Sequence, residues 1–190
     1  ITVLEQFCEK VVFGGFSTGG LLALMAAARH PKAVAAFAIN SPISLRSIQA
    51  RRALGVNMWN EMLDAFHIEG GHLDYVDSDP EFEDTNYNRV YVQAVAEVDK
   101  LMDACRHDIK KINMPTLIMR STNDPTVSPS SSDRIYNSLR TPQKKFVEIK
   151  SNRHVIVRGA EKDEVFQKVS SFLRQYTGIC DVDNNGSDDQ

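Results

Sequence analysis

The chain has 190 residues, 42% of them hydrophobic and 25% charged, a composition typical of a globular protein with one sizeable core. Its formal net charge of -3 excludes the broad positive field that attracts nucleic acids or anionic lipids, so we expect neither as a partner. The longest apolar stretch, residues 21–28, is shorter than a membrane-spanning helix, which needs about 20 residues, so we expect a soluble, cytoplasmic protein.

The first predicted elements follow the order strand, helix, strand. Residues 10–14 form a short apolar run that ends in two glycines, which predicts a buried strand entering a tight turn. Residues 18–30 are rich in Leu, Met and Ala and are followed by Pro31, which predicts a buried helix. Residues 34–39 form a second buried strand. This succession is typical of parallel sheets.

The sheet pattern is interrupted between residues 43 and 106. Polar amphipathic segments replace it, with helical spacing at 59–66 and a longer predicted helix at 87–105. The pattern then resumes with two strands and two helices: strand 115–120, helix 131–139, strand 145–149 and helix 164–176. We therefore predict an α/β fold with a mostly parallel sheet flanked by helices.

Neither the cysteines nor the acidic C-terminus predicts a metal site. The three cysteines are scattered and lack metal-ligand spacing, which indicates packing roles in a reducing compartment: Cys8, Cys105 and Cys180. Residues 179–190 have no apolar periodicity and are expected to be a flexible acidic tail. Some of them resemble the start of a calcium loop, but its bidentate acid would fall beyond Gln190, which favours a solvated terminus.

A Gly-x-Ser-x-Gly pattern centred on Ser17 lies between the first strand and the first buried helix. Small residues around a serine permit the sharp turn that exposes a nucleophilic hydroxyl, and the strand-turn-helix context is the one this motif requires. The alternative is a glycine-rich turn that binds an anion. That alternative is weaker because no P-loop lysine follows and the dinucleotide-binding glycine spacing is missing.

A base and an acid for Ser17 are expected downstream. Asp124 directly follows the third strand and His154 follows the fourth, so a parallel sheet would bring both to the edge that carries Ser17. The order Ser, Asp, His is the one expected of α/β-hydrolases. Asp133, inside the following helix, is the second candidate acid. Taken singly, Asp124 could be a turn residue and His154 a structural histidine.

The motifs resemble the carboxylesterase and monoacylglycerol lipase branch of the α/β-hydrolases. The resemblance covers about residues 10–176 and rests on three segments: 14–20, 114–129 and 154–157. It implies the C-terminal part of an α/β-hydrolase fold, with Ser17, Asp124 and His154 as catalytic triad and no metal or organic cofactor. The implied division is hydrolase core at 1–42 and 107–178, a helical cap at 43–106, here called the cap segment, and the tail at 179–190.

In that family the cap binds acyl chains. Candidate substrate contacts are apolar residues of the cap segment together with Phe16 beside the nucleophile: Met58, Met62, Leu63 and Phe66. The alternative is that the four cap residues pack their helix onto the core.

The sequence departs from the family before Ser17. Family members carry further strands there, including a His-Gly loop that supplies half of the oxyanion hole. The Thr18 backbone N–H is a candidate for one donor, and we find no candidate for the other. The first strand is then an unpaired apolar edge, so we expect either a fragment of a longer protein, a homodimer, or a partner chain that covers this edge.

The resulting prediction is a serine hydrolase that cleaves small acyl esters through an acyl-enzyme. Thioesterase, peptidase and acyltransferase activities use the same triad and remain open. The alternative from a different class is a truncated, non-catalytic relative that acts through binding or self-association.

Overall fold

The computed structural model describes residues 2–44, 48–77 and 89–178. The predicted acidic tail at 179–190, with Cys180, lies outside the described residues. Those described ranges contain six helices, six strands and a 3-10 turn in this order: α1 Thr2–Phe7, β1 Val12–Phe16, α2 Thr18–Arg29, β2 Ala35–Ile39, α3 Ile48–Ala65, β3 Tyr75–Asp77, β4 Arg89–Tyr91, α4 Val92–Asp108, the turn Ile109–Lys111, β5 Thr116–Ser121, α5 Pro129–Ser138, β6 Lys144–Ile149 and α6 Lys162–Thr177.

Four of the strands form one parallel sheet in the order β1, β2, β5, β6. The predicted strands and the fold class are confirmed, with β1 ending at Phe16 rather than at residue 14 because Phe16 pairs with Ile39. All four strands run in one direction, so their last residues lie at one edge, here called the carboxyl edge. In the described residues β1 is an outer strand of this sheet.

Helices cover both faces of the sheet. Alternate residues of a strand point to opposite faces, so Ile118 packs with α2, α4 and α5 while its neighbours Leu117 and Met119 pack with α6. Both sides of β5 are therefore apolar, as expected for a strand in the middle of a parallel sheet. Helices packed on both faces hold the strands in place, so the last residues of the strands stay together at the carboxyl edge.

The cap segment contains α3, a two-stranded antiparallel ribbon of β3 and β4, and α4. The predicted helix at 87–105 was wrong at its start, because Arg89–Tyr91 pairs as a strand with Tyr75–Asp77 before α4 begins. At the ends of the segment, the Arg106 guanidinium donates a hydrogen bond to the Ile43 carbonyl. The chain therefore leaves the sheet and returns to it at one place.

Cys105 lies on α4 and is fully buried against α2. Its Sγ lies 4.0 Å from the Leu21 carbonyl oxygen. Burial, with a smaller contribution from the Asp108 charge, raises the pKa of this thiol to about 12. The protonated thiol acts here as a small apolar residue that joins the two helices, as the sequence predicted.

Candidate active site

Ser17 lies between the end of β1 and the start of α2, in a backbone conformation that few side chains adopt. Its φ is 52° and its ψ is -125°. A β-carbon is strained at positive φ, so the surrounding structure must hold this turn in place. The Ser17 N–H donates to the Ile39 carbonyl at 2.8 Å, which fixes the turn to the end of β2.

Two glycines close to Ser17 lie where a side chain would be crowded: Gly15, inside the Gly-x-Ser-x-Gly pattern, and Gly20, directly after it. A Cβ on Gly15 would overlap the backbone of Gly19, and a Cβ on Gly20 would overlap Ser41 Oγ. A Cβ on Gly19 would meet no atom within 4 Å. The tight turn therefore depends on the first and last of these glycines and not on the middle one.

His154 connects Ser17 to Asp124. Its Nε2 lies 2.9 Å from Ser17 Oγ, and its Nδ1 lies 2.7 Å from Asp124 Oδ2. His154 and Asp124 are both buried, while Ser17 is only partly buried. The three residues predicted from the sequence are thus brought into one chain of hydrogen bonds at the carboxyl edge, with the serine at its accessible end.

The Asp124 carboxylate is oriented by its own loop. The Thr126 and Val127 N–H groups donate to its Oδ1 at 2.7 and 2.8 Å, which leaves Oδ2 for the histidine. The second candidate acid is engaged elsewhere: Asp133 pairs with Arg120 at 2.9 Å, and its side chain is about half exposed. The geometry therefore favours Asp124 as the partner of the histidine.

Hydrogen bonds also tie the loop of His154 to its surroundings. The Asn123 N–H donates to the Ser151 carbonyl at 3.0 Å, which joins the aspartate and histidine loops. Ser151 Oγ accepts from the Arg153 N–H and donates to Glu161 Oε1 at 2.7 Å. The hydrogen bond from Ser151, followed by one from the backbone of Glu161 itself, lowers the pKa of the Glu161 carboxyl. The nearby Arg153 charge lowers this pKa by a smaller amount. Together these effects outweigh burial, which raises the pKa.

One buried polar cluster at this edge was missed by the sequence reasoning. Asn40, at the end of β2, has a φ of 45° and is 1% exposed. Its side chain hydrogen-bonds to Ser121 and to the carbonyl of His154. Nothing in the sequence distinguishes this Asn from a polar residue in a loop; only the sheet order brings these residues together.

The predicted substrate contacts differ in their surroundings. The Phe16 ring packs against His154 with 5.0 Å between ring centroids, and Leu63 is buried. The other three are exposed, two on α3 and the last directly after it: Met58, Met62 and Phe66. Thr18 is the first residue of α2, so its N–H has no acceptor within the helix.

The described ranges contain neither a membrane-spanning helix nor a cluster of metal ligands. No helix there is both long enough and apolar enough to cross a bilayer. Nor do residues 2–44, 48–77 and 89–178 place three or more His, Cys, Asp or Glu side chains together as metal ligands.

Two known enzymes are similar to this chain in sequence. The chain is 23% identical over 178 residues to a thermostable monoacylglycerol lipase of Bacillus sp. (strain H-257), a match that covers 92% of this chain and 67% of the relative. It is 28% identical over 95 residues to a carboxylesterase of Bacillus subtilis (strain 168), which covers 50% of this chain and 37% of that relative. The chain thus spans about two thirds of the length of the lipase and less of the carboxylesterase.

Solved structures show the same fold. A structure from work on the metagenome-derived lipolytic enzymes LipS and LipT superimposes with a TM-score of 0.74 at 20% identity, covering 92% of this chain and 69% of the other. The monoacylglycerol lipase of Paleococcus ferrophilus gives 0.66 at 18% identity, covering 92% and 72%. A family model described as serine aminopeptidase, S33 (Hydrolase_4) matches residues 2–163. The chain therefore belongs to this family of serine hydrolases and has the fold of the α/β-hydrolases.

Proposed function

We propose that this chain cleaves carboxylic esters through an acyl-enzyme, with Ser17 as the nucleophile, His154 as general base and Asp124 as its orienting acid. The observation that carries the proposal is the continuous hydrogen-bond chain from Ser17 Oγ through both ring nitrogens of His154 to Asp124 Oδ2. A serine hydroxyl is a weak nucleophile, and a base oriented in this way is what activates it.

In the first half of the reaction Ser17 Oγ attacks the ester carbonyl carbon while its proton passes to His154 Nε2. The imidazolium is stabilised by Asp124, whose Oδ2 already lies 2.7 Å from Nδ1. Negative charge develops on the carbonyl oxygen, and the donor that we propose for it is the Thr18 N–H at the N-terminus of α2. The bond to the alcohol then breaks, and His154 returns the proton to the leaving oxygen.

In the second half a water molecule attacks the acyl-enzyme, with His154 again taking the proton. The bond between the acyl carbon and Ser17 Oγ breaks, the carboxylic acid leaves, and the serine recovers its proton. Loss of one oxyanion donor costs about 100-fold to 1000-fold in rate. With Thr18 as its single oxyanion donor, this chain is therefore expected to turn over more slowly than an enzyme with two donors, by about that factor.

The substrate class we favour is a small or medium acyl ester. The supporting observations are the exposed apolar side chains of α3 and the lipase and carboxylesterase relatives. Since the family model is described as a serine aminopeptidase, hydrolysis of an amino-acyl amide is the second activity to measure. The binding-only alternative is less favoured, because the relatives are a lipase and a carboxylesterase and because Ser17, His154 and Asp124 form one chain of hydrogen bonds.

The test is intact-mass analysis after treatment with a fluorophosphonate, which reacts with an activated serine. We expect one adduct on the wild type and none on Ser17→Ala, while Ser170→Ala, which removes an exposed serine of α6, keeps the adduct. A series of p-nitrophenyl esters and an amino-acyl anilide then compares the two activities. An unlabelled but folded wild type would contradict the proposal.

A further inference from the structure

We infer that Asn40 is a positioning residue that holds His154 in line with Ser17 by binding the histidine's own backbone. This inference rests on the proposed function and adds to it a residue that contacts neither the substrate nor the reacting atoms. Asn40 Nδ2 donates to the His154 carbonyl at 2.6 Å. The Ile156 N–H donates to the same oxygen at 3.1 Å, so the carbonyl is held from two sides.

The orientation of the Asn40 amide is fixed by its partners. The Ser121 N–H can only donate, and it lies 2.8 Å from Asn40 Oδ1. The amide nitrogen must then face the other way, toward the His154 carbonyl and Ser121 Oγ. One side chain therefore binds both Ser121, at the end of β5, and the backbone of the loop that follows β6.

Ser121 extends the connection by one residue. Its Oγ donates to the Arg153 carbonyl at 2.7 Å, directly before the histidine. Asn40 and Ser121 are each 1% exposed, so these bonds are shielded from competing water. If the loop of His154 moved away, the buried amide of Asn40 would lose these partners and leave unsatisfied polar groups in the core, which is costly. The cluster therefore favours one position of the His154 loop.

The end of β2 thereby fixes both reacting partners. The Ile39 carbonyl accepts from the Ser17 N–H, and the next residue, Asn40, holds His154. The Asn40 N–H itself donates to the Met119 carbonyl in the sheet at 2.9 Å. Two consecutive residues, Ile39 at the end of β2 and Asn40 directly after it, thus hold the backbones of the two residues whose Oγ and Nε2 lie 2.9 Å apart.

The test compares Asn40→Gly and Ser121→Ala with Thr116→Ala. Glycine tolerates the positive φ of Asn40, so this variant loses the amide without backbone strain. Thr116 is a fully buried hydroxyl at the opposite end of β5, bonded to the Met114 carbonyl, and serves as the stability control. We expect kcat for an ester to fall about 10-fold to 100-fold in the first two variants with KM unchanged, because a displaced base lowers the rate without weakening binding.

We expect Thr116→Ala to lose thermal stability but to keep kcat. An Asn40→Gly variant whose kcat stays at the wild-type value would overturn the inference, as would an equal loss of kcat in Thr116→Ala. Where Asn40→Gly does not fold, Ser121→Ala decides by the same criteria.

A second measurement separates this inference from the proposed function. The Nδ1 proton of His154, held by Asp124, should give a downfield NMR resonance that is assigned by its loss in His154→Gln. We expect Asn40→Gly to broaden or shift it and Thr116→Ala to leave it unchanged, whether or not the protein turns over esters. An inactive wild type with this pattern would contradict the hydrolase proposal alone, whereas an unchanged resonance in Asn40→Gly would contradict the positioning role.

Discussion

The carboxyl edge of the sheet and the cap segment present polar and apolar groups in opposite ways. At the carboxyl edge the side chains that hydrogen-bond to His154 or to its loop are buried polar groups, including Asp124, Asn40 and Ser121. On the cap segment several large apolar side chains are exposed: Met58 on α3 is 69% exposed, and Phe66, directly after α3, is 71% exposed. Hydrogen bonds fix geometry, whereas exposed apolar groups adapt to what they contact. The difference teaches that this chain keeps its proposed chemistry rigid and its proposed recognition adaptable.

The largest effect that sharpens this comparison is expected for Asp124→Asn. An amide at this position disfavours the histidine tautomer that accepts the serine proton, and kcat should fall about 10⁴-fold with the protein still folded. The measurement is ester hydrolysis together with thermal unfolding. Asp133→Asn is the matched control, since it only breaks an exposed pair worth about 1 kcal/mol or less. The assignment of the acid would be refuted if the two variants exchanged these phenotypes.

The next effect concerns the turn that carries Ser17. Gly20→Ala would place a Cβ on Ser41 Oγ, so we expect a lower melting temperature and a loss of kcat/KM of about 10-fold to 100-fold from displacement of the nucleophile. Gly19→Ala, one residue earlier, meets no atom within 4 Å and should stabilise α2 by about 0.5–1 kcal/mol. Equal melting temperatures and activities for the two variants would show that the turn tolerates side chains at either glycine.

A smaller effect is expected in the cap segment. If Met62 contacts the acyl chain, Met62→Ser removes contact with about two methylene groups, about 1.5 kcal/mol, and raises KM for long-chain esters about tenfold. Its melting temperature should not change, because Met62 is 41% exposed. Phe166→Ser, which changes an exposed apolar residue of α6, is the control for surface effects.

Leu63→Ala should instead lower stability by about 2–5 kcal/mol, because Leu63 is buried.

An unchanged KM across the ester series in Met62→Ser would mean that α3 does not contact the acyl chain. The apolar side chains of the cap segment would then be exposed without taking part in substrate recognition, and the proposal that recognition by this chain is adaptable would fail.

The smallest effect is a pH dependence of the histidine loop. The pKa of Glu161 is lowered in the folded state, chiefly by the Ser151 hydroxyl. A lowered folded pKa contributes stability above the unfolded pKa of about 4.3, and this contribution is lost as the pH falls through the folded pKa. The melting temperature of the wild type should therefore exceed that of Glu161→Gln at neutral pH, and the difference should shrink in acid. Melting curves that stay parallel from neutral to acid pH would exclude this contribution.

The parallel sheet and the positions of Ser17, Asp124 and His154 were predictable because each depends on local signals. A buried apolar run followed by a turn marks a strand end, and in a parallel sheet all strand ends lie at one edge. Nucleophilic catalysis needs a serine, a histidine and an acid at that edge, and in this sequence each of the three directly follows or closely follows a separate predicted strand. The structure brings these three residues within hydrogen-bond distance at that edge.

The ribbon of β3 and β4 and the Asn40 cluster were not predictable for a different reason. Tyr75–Asp77 and Arg89–Tyr91 are three residues each, too short to show alternation, and their stability comes from pairing with each other. Asn40 is distant in sequence from Ser121 and His154, and its partners are determined by which strands are neighbours. Local patterns carry no information on such contacts. The boundaries of the cap segment and the pairing partner of β1 stay predictions.

The buried thiol of Cys105 gives the chain an internal reporter of opening. Thiol reagents attack the thiolate, and a thiol whose pKa is raised to about 12 inside an apolar cluster is inert while α2 and α4 stay packed. Cys8 is exposed and supplies the reference rate in the same molecule. α2 begins at the turn that carries Ser17, and α4 lies at the end of the cap segment. The labelling rate of Cys105, identified by peptide mapping, therefore reports how often these two regions separate.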